Sequence, residues 1–144
     1  MNCAGDSKQK CGAGNRLSVY SDANWVQTFF ATPSYSTWNL MGCYVDSTSA
    51  RSLGTAVSLS AFGGASSATI ANCVSACQAQ GFTYCGAEYY SECYGSKTAP
   101  ATSLASGSDP LSAGCSYACK GNSTESCGGS NRIIIYTNNG TASQ

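Results

Sequence analysis

Apolar residues are sparse along this chain, and they gather in a few short stretches that each predict an element. Asn39 to Val45 (NLMGCYV) predicts a short strand. Ser47 to Gly64 is rich in Ser and Gly, a loop pattern, with a turn over Arg51 to Leu53. Ile70, Cys73, Val74 and Cys77 then fall at helical spacing on one face. Thr69 precedes them as an N-cap, where its hydroxyl accepts from a free first-turn N–H, and Gly81 supplies a left-handed stop. A helix is therefore predicted over Ile70 to Gln80, with the sulfurs of Cys73 and Cys77 emerging from its buried face. Phe82 to Tyr90 and Glu92 to Gly95 predict strands, and Thr98 to Gly114 a Ser/Ala/Pro/Gly loop. The strongest strand is Arg132 to Thr137 (RIIIYT), whose three consecutive Ile suit a central strand buried on both faces.

A core this thin needs other support, and the composition supplies it. The 144 residues include ten cysteines and no histidine. An even cysteine count in a short, loop-rich chain predicts a disulfide framework. Zinc is disfavoured, because there is neither His nor a pair of Cys-x-x-Cys knuckles. Disulfides point to an oxidising compartment, so the expected location is secreted, at the cell surface or in the cell wall. The sequons at Asn122 and Asn139 agree with that and are candidate glycosylation sites. Seven basic residues balance seven acidic ones, and only 10% of the chain is charged. Such a surface predicts no attraction for nucleic acid and suits a neutral partner such as polysaccharide. No stretch is long enough to span a bilayer, and no membrane contact is expected of this segment. No basic, apolar leader opens the chain, so the expectation is either that the beginning of the mature protein is missing or that this is a piece of something longer.

An internal repeat refines the domain picture. Residues 3–20 (CAGDSKQKCGAGNRLSVY) match residues 119–136 (CKGNSTESCGGSNRIIIY), aligning Cys3 with Cys119, Cys11 with Cys127, Asn15 with Asn131, Arg16 with Arg132 and Tyr20 with Tyr136. Residues 1–20 thus read as the C-terminal tail of a preceding copy, 21–38 as an aromatic linker, 39–137 as one complete module, and 138–144 as a tail. The linker carries Trp25, Phe29, Phe30, Tyr35 and Trp38, too many rings for a flexible tether. It is expected to pack on its neighbours, and copies of the same module are expected partners.

The module resembles the WSC domain family of fungal cell-wall proteins. The resemblance rests on Gly42-Cys43-Tyr44 with Asp46, Thr69 before Cys73-x-x-x-Cys77, and Gly81-Phe82-Thr83-Tyr84. It continues through Gly86-x-Glu88-Tyr89, Glu92-Cys93-Tyr94, Cys115-x-x-x-Cys119-x-Gly121-Asn122 and Cys127-Gly128-Gly129. It implies a small, disulfide-rich α+β module: one helix packed on a short antiparallel sheet, with long Ser/Gly-rich loops and four bridges. It also implies binding to wall polysaccharide, β-glucan-like. One position departs from the family pattern Glu-Cys-x-Cys-Gly: Gly95 stands where the second cysteine is expected, and Cys85 appears ten residues before it. A bridge rerouted within one hairpin would explain both changes, since strand neighbours can exchange a cysteine and keep its partner near. Cys119 with Cys127 and Cys3 with Cys11 are the expected local pairs, while the partners of Cys85 and Cys93 stay open.

Enzymatic chemistry is not expected, and no cofactor or metal is implied. Without His there is no Ser–His or Cys–His pair. Glu88 and Glu92 are the only close acids, and an extended segment would hold them ~13 Å apart, beyond the ~5–9.5 Å of glycosidase pairs. Sugar binding fits better, because pyranose faces stack on aromatic rings and hydroxyls need amide or carboxylate partners. Glu88, Tyr90, Glu92 and Tyr94 would share one face of an extended segment, with Tyr89 turned into the core. Tyr44, Asp46, Tyr117 and Asn122 join the ligand-binding candidates by family position. Arg132 is expected to pair with Glu88 or Asp46. Alternative roles are a structural repeat of an extracellular array or fibre, or the targeting module of a secreted enzyme.

Overall fold

The computed structural model describes residues 29–138. The short strand β1 (Ser34–Tyr35) turns directly into β2 (Trp38–Val45), and β3 is the two-residue Thr55–Ala56. Helix α1 follows (Ile70–Ala79), then β4 (Tyr84–Glu88) and β5 (Glu92–Ser96). The chain ends with β6 (Ala118–Cys119), β7 (Asn122–Ser126) and β8 (Arg132–Asn138). Six strands form one sheet in the order β1-β2-β8-β4-β5-β3, with every pairing antiparallel, while β6 and β7 make a separate hairpin. The fold is thus a small α+β module with one helix on an antiparallel sheet.

The helix begins where its cap predicted. Thr69 is extended and its hydroxyl accepts from the Asn72 N–H at 3.0 Å. A second acceptor comes from far along the chain: the buried Glu125 carboxylate takes the Ile70 N–H at 3.1 Å, placing an acid at the positive end of the helix. Glu125 also receives the Thr32 hydroxyl, so it ties β7, α1 and the chain entering β1 together.

Strand β8 is central, between β2 and β4, and Ile133, Ile134, Ile135 and Tyr136 are all fully buried. Alternation sends Ile134 and Tyr136 to the α1 side, with Trp38, Cys43, Cys85 and Ala87. Ile133 and Ile135 go to the opposite side with Leu53, Met41, Tyr44, Tyr84 and Tyr94. Among the described residues that second face carries no helix; the loops after β2 and β5 cover it. Ala101 N–H donates to Ser52 O at 3.0 Å and Val45 N–H to Ser103 O at 3.0 Å, which holds those loops down.

Four disulfides join all eight cysteines of the described residues: Cys43–Cys115, Cys73–Cys93, Cys77–Cys85 and Cys119–Cys127. Cys3 and Cys11 lie outside the described residues, as does Asn139. The altered motif has a direct geometric cause. Cys85 is the cross-strand partner of Gly95, so the sulfur has moved one strand over on the same sheet face and still meets α1. The vacated position cannot take a side chain as it stands, because a Cβ on Gly95 would lie 2.4 Å from the Phe82 ring. Phe82 fills the space.

Several local expectations need correction. Phe82 to Tyr90 is not one strand: β4 spans Tyr84–Glu88, and Tyr89 and Tyr90 leave it with φ of 50° and 73°. The Ser47 to Gly64 loop contains β3 and one of two single-turn 3₁₀ helices, Ser60–Phe62 and Ala65–Ser67. The two-strand hairpin β6–β7 had no periodic signal, being two and five residues of mostly polar sequence. Residues 30–38 belong to the folded unit. Phe30 exchanges backbone hydrogen bonds with Thr124 O and the Ser126 N–H at 2.9 Å, and Trp38 is wholly buried with its indole N–H on Gln78 at 3.0 Å.

Candidate carbohydrate-binding site

The β4–β5 hairpin ends in a three-residue loop, Tyr89-Tyr90-Ser91, closed by the cross-strand pair Glu88 and Glu92. Two consecutive tyrosines in left-handed backbone carry a steric cost that glycine would not. Tertiary contacts hold them there: the Lys120 N–H donates to Tyr90 O at 3.0 Å, and the Tyr90 ring stacks on Tyr117 with centroids 4.4 Å apart and planes at 20°. Tyr89 meets Tyr90 edge-on at 5.3 Å and Tyr117 at 5.7 Å. Tyr89 is 50% exposed and does not enter the core, correcting the inward orientation expected from an unbroken strand. The turn reverses the chain and sends its ring outward.

Glu88 and Glu92 are likewise closer than an extended segment would allow, because they face each other across the hairpin. Their environments differ. Glu88 is buried, and burial together with the neighbouring Asp46 carboxylate pushes its carboxyl up to about 9. Glu92 is exposed and accepts the Tyr94 hydroxyl at 2.8 Å. Burial and that carboxylate raise the Tyr94 phenol well above its ordinary range.

Arg51, not Arg132, answers the buried acids. Its guanidinium donates to Asp46 and, at 3.1 Å, to Glu88, and it lies 4.6 Å above the Tyr94 ring centre. Asp46 also accepts the Ser52 N–H at 2.5 Å and is itself 2% exposed, so its oxygens serve the fold. Arg132 instead donates to Ala113 O at 3.0 Å and Asn131 O at 2.9 Å. Asn131 occupies left-handed backbone (φ 55°), which Asn tolerates better than most residues, and its carbonyl receives the Asp46 N–H at 3.0 Å. That accounts for an Asn in the repeated Gly-x-x-Asn-Arg motif. Gly128 before it is fixed by space as well as φ (85°): a Cβ there would lie 2.4 Å from Ala87 O.

Arg51, Glu88, Tyr89 and Glu92 line a cleft of about 200 Å³ with Thr48, Ser130 and Asn131. Of the candidate residues, Glu88 and Glu92 line this cleft, Tyr90 and Tyr117 cluster with Tyr89 beside it, and Tyr94 reaches Glu92 through its hydroxyl while its ring joins the Leu53, Ile133, Ile135 cluster. Tyr44 packs instead against the Leu53, Ile133, Ile135 cluster. Asn122 is exposed on the β6–β7 hairpin, its side-chain oxygen accepting from the Thr124 N–H at 3.0 Å and the Thr124 hydroxyl at 2.8 Å. Sequence reasoning missed Tyr89, Arg51, Thr48 and Asn131 as cleft residues. Arg51 had a usable signal, as a lone cation placed among buried acids by the fold; the outward turn of Tyr89 had none.

Among the described residues, one cluster has metal-ligand chemistry: the sulfurs of Cys73, Cys77, Cys85 and Cys93 lie within 4.8 Å of one another. They are bonded in two disulfides and offer no thiolate. Among the described residues, no helix is long and apolar enough to cross a membrane.

A family model described as the WSC domain matches residues 40–129. Two proteins of Arthroderma benhamiae, each described as a WSC domain-containing protein, are similar to this chain. The first is 40% identical over 136 residues, covering 94% of this chain and 17% of its own length. The second is 38% identical over 105 residues, 71% of this chain and 11% of its own length. A Chaetomium globosum protein described as a putative fungistatic metabolite is 35% identical over 143 residues, 94% of this chain and 60% of its own length. The chain spans only part of each of these relatives.

Proposed function

This chain belongs to the WSC domain family, and on that premise we propose that it binds a neutral, β-glucan-like polysaccharide at the tip of the β4–β5 hairpin. The family supports a non-catalytic, extracellular carbohydrate-binding or sensor module, and four disulfides are consistent with that setting. The observation that carries the finer proposal is the Tyr89, Tyr90, Tyr117 cluster beside a cleft lined by hydroxyl, amide and carboxylate groups. Aromatic faces match the apolar faces of pyranose rings, and the cleft supplies partners for the hydroxyls. Arg51 is committed to Asp46 and Glu88, so the cleft offers no free cation that would call for an anionic sugar. Asn122, held by the Thr124 hydroxyl of its own sequon, serves on this view as a glycan acceptor and not as a ligand contact.

The likeness of residues 3–20 to 119–136, with the small share of the Arthroderma proteins covered, favours a place in a run of such modules. Titration of the protein with soluble β-glucan, read by thermal unfolding, tests the binding proposal. A concentration-dependent rise in Tm that Tyr117→Ala removes is expected. No shift with any neutral glycan would overturn it.

A further inference from the structure

The cleft beside Tyr89 is small. About 200 Å³ falls below the ~300–1,000 Å³ of most small-ligand sites, so it has room for little more than one sugar unit. A second groove of about 380 Å³ adjoins it, where β3 leaves the edge of β5. Its floor is Val57 and Leu59, its rim the hydroxyls of Ser58, Ser60 and Ser91. Glu92 lines both depressions, and the Tyr94 hydroxyl donates to its carboxylate at 2.8 Å. The Val57 N–H is bonded to Cys93 O at 2.8 Å, so the groove is anchored to the same hairpin that carries the tyrosines.

We infer that this groove is a second subsite for the same glycan, so that the module reads the interior of an extended polysaccharide chain and not its end. The inference rests on the function proposed above and adds the form of the ligand. Glu92 is the sole charged residue of the groove lining, which otherwise pairs an apolar floor with hydroxyls, the same amphipathic arrangement a neutral pyranose presents. Its occupant is the next few units of the chain whose first unit sits against Tyr89. Continuity across Glu92 sets the direction: the chain crosses the hairpin tip and does not run along the sheet.

The test is calorimetric titration of the whole chain with β-1,3-linked gluco-oligosaccharides of two to six units. Affinity is expected to climb at least about tenfold from the dimer to the pentamer, which is ~1.4 kcal/mol. Ala65→Trp, an exposed position on the groove lining, should remove that gain and leave dimer binding unchanged; Ala56→Trp, also exposed on the lining, provides a second obstruction. Unaltered Tm in both variants shows that the fold is kept. Equal affinity for dimer and hexamer, or undiminished hexamer binding by both Trp variants, would overturn the second subsite and leave glycan binding standing. Failure of every oligomer and of the polymer to bind would overturn both.

Discussion

The two faces of the central sheet are held in different ways. Beneath α1, the sheet carries Cys43, Cys85 and Cys93, and three disulfides tie it to the helix and to the loop ending at Cys115. On the other face, among the described residues, there is no disulfide. Leu53, Ile133 and Ile135 form a small apolar cluster, and one guanidinium braces two buried carboxyls beside it. The covalent face tolerates a thin core because cross-links shrink the unfolded ensemble. The other depends on the protonation and pairing of a few groups, and the proposed glycan cleft opens there. A rigid face thus carries a hairpin whose tip holds two tyrosines in costly backbone, a division between scaffold and site that small domains reach with few residues.

The largest expected loss is on the covalent face. Cys43 and Cys115 are 72 positions apart, whereas Cys77 and Cys85 are eight apart. Loop-closure entropy makes the first bridge worth ~4 kcal/mol and the second ~2.5 kcal/mol. Cys43→Ser/Cys115→Ser should lower the denaturation free energy by more than Cys77→Ser/Cys85→Ser, measured by chemical unfolding. Arg51→Met comes next, at about 2–3 kcal/mol, reduced from the fully buried case because Arg51 is partly exposed. The same unfolding assay checks it, and no loss would mean that the second face does not need this guanidinium.

The faces also separate by pH. Glu88 has a folded-state pKa of about 9 against an ordinary 4.5, so the folded chain keeps a proton that the unfolded chain releases. Its contribution is fully present below about pH 4.5 and falls away as pH rises toward about 9. Glu88→Gln should flatten this decline in a Tm-against-pH series between those limits. The smallest change in stability is expected for Tyr89→Gly. Glycine accepts φ of 50° at no steric cost, so Tm should stay level or rise slightly while β-glucan binding weakens several-fold.

Much of this was legible from residue types alone. Thr69, the helical spacing of Ile70, Cys73, Val74 and Cys77, and the three Ile of β8 each carry a local signal that tertiary packing reinforces. The fate of Cys85 was half legible: exchange with a strand neighbour was readable, but the partner depended on register. The hairpin tip was not, because neither Tyr89 nor Tyr90 belongs to the Gly, Asn and Asp that announce left-handed turns. Strand alternation therefore ran through them and turned Tyr89 inward. Asp46 looked like a ligand contact by position, and only the folded loop shows its oxygens taken by Arg51 and the Ser52 N–H. Long-range partners of single charges, such as Glu125 at the start of α1, leave no periodic trace.

The central claim is that the displaced Cys85 pairs with Cys77, and so staples the β4–β5 hairpin to α1 in one defined register. Non-reducing proteolysis with mass spectrometry of the linked peptides tests it most directly. Peptides joining Cys77 to Cys85 and Cys73 to Cys93 are the expected result. Cys73 joined to Cys85 with Cys77 joined to Cys93, or a free thiol at any of the four, would contradict it.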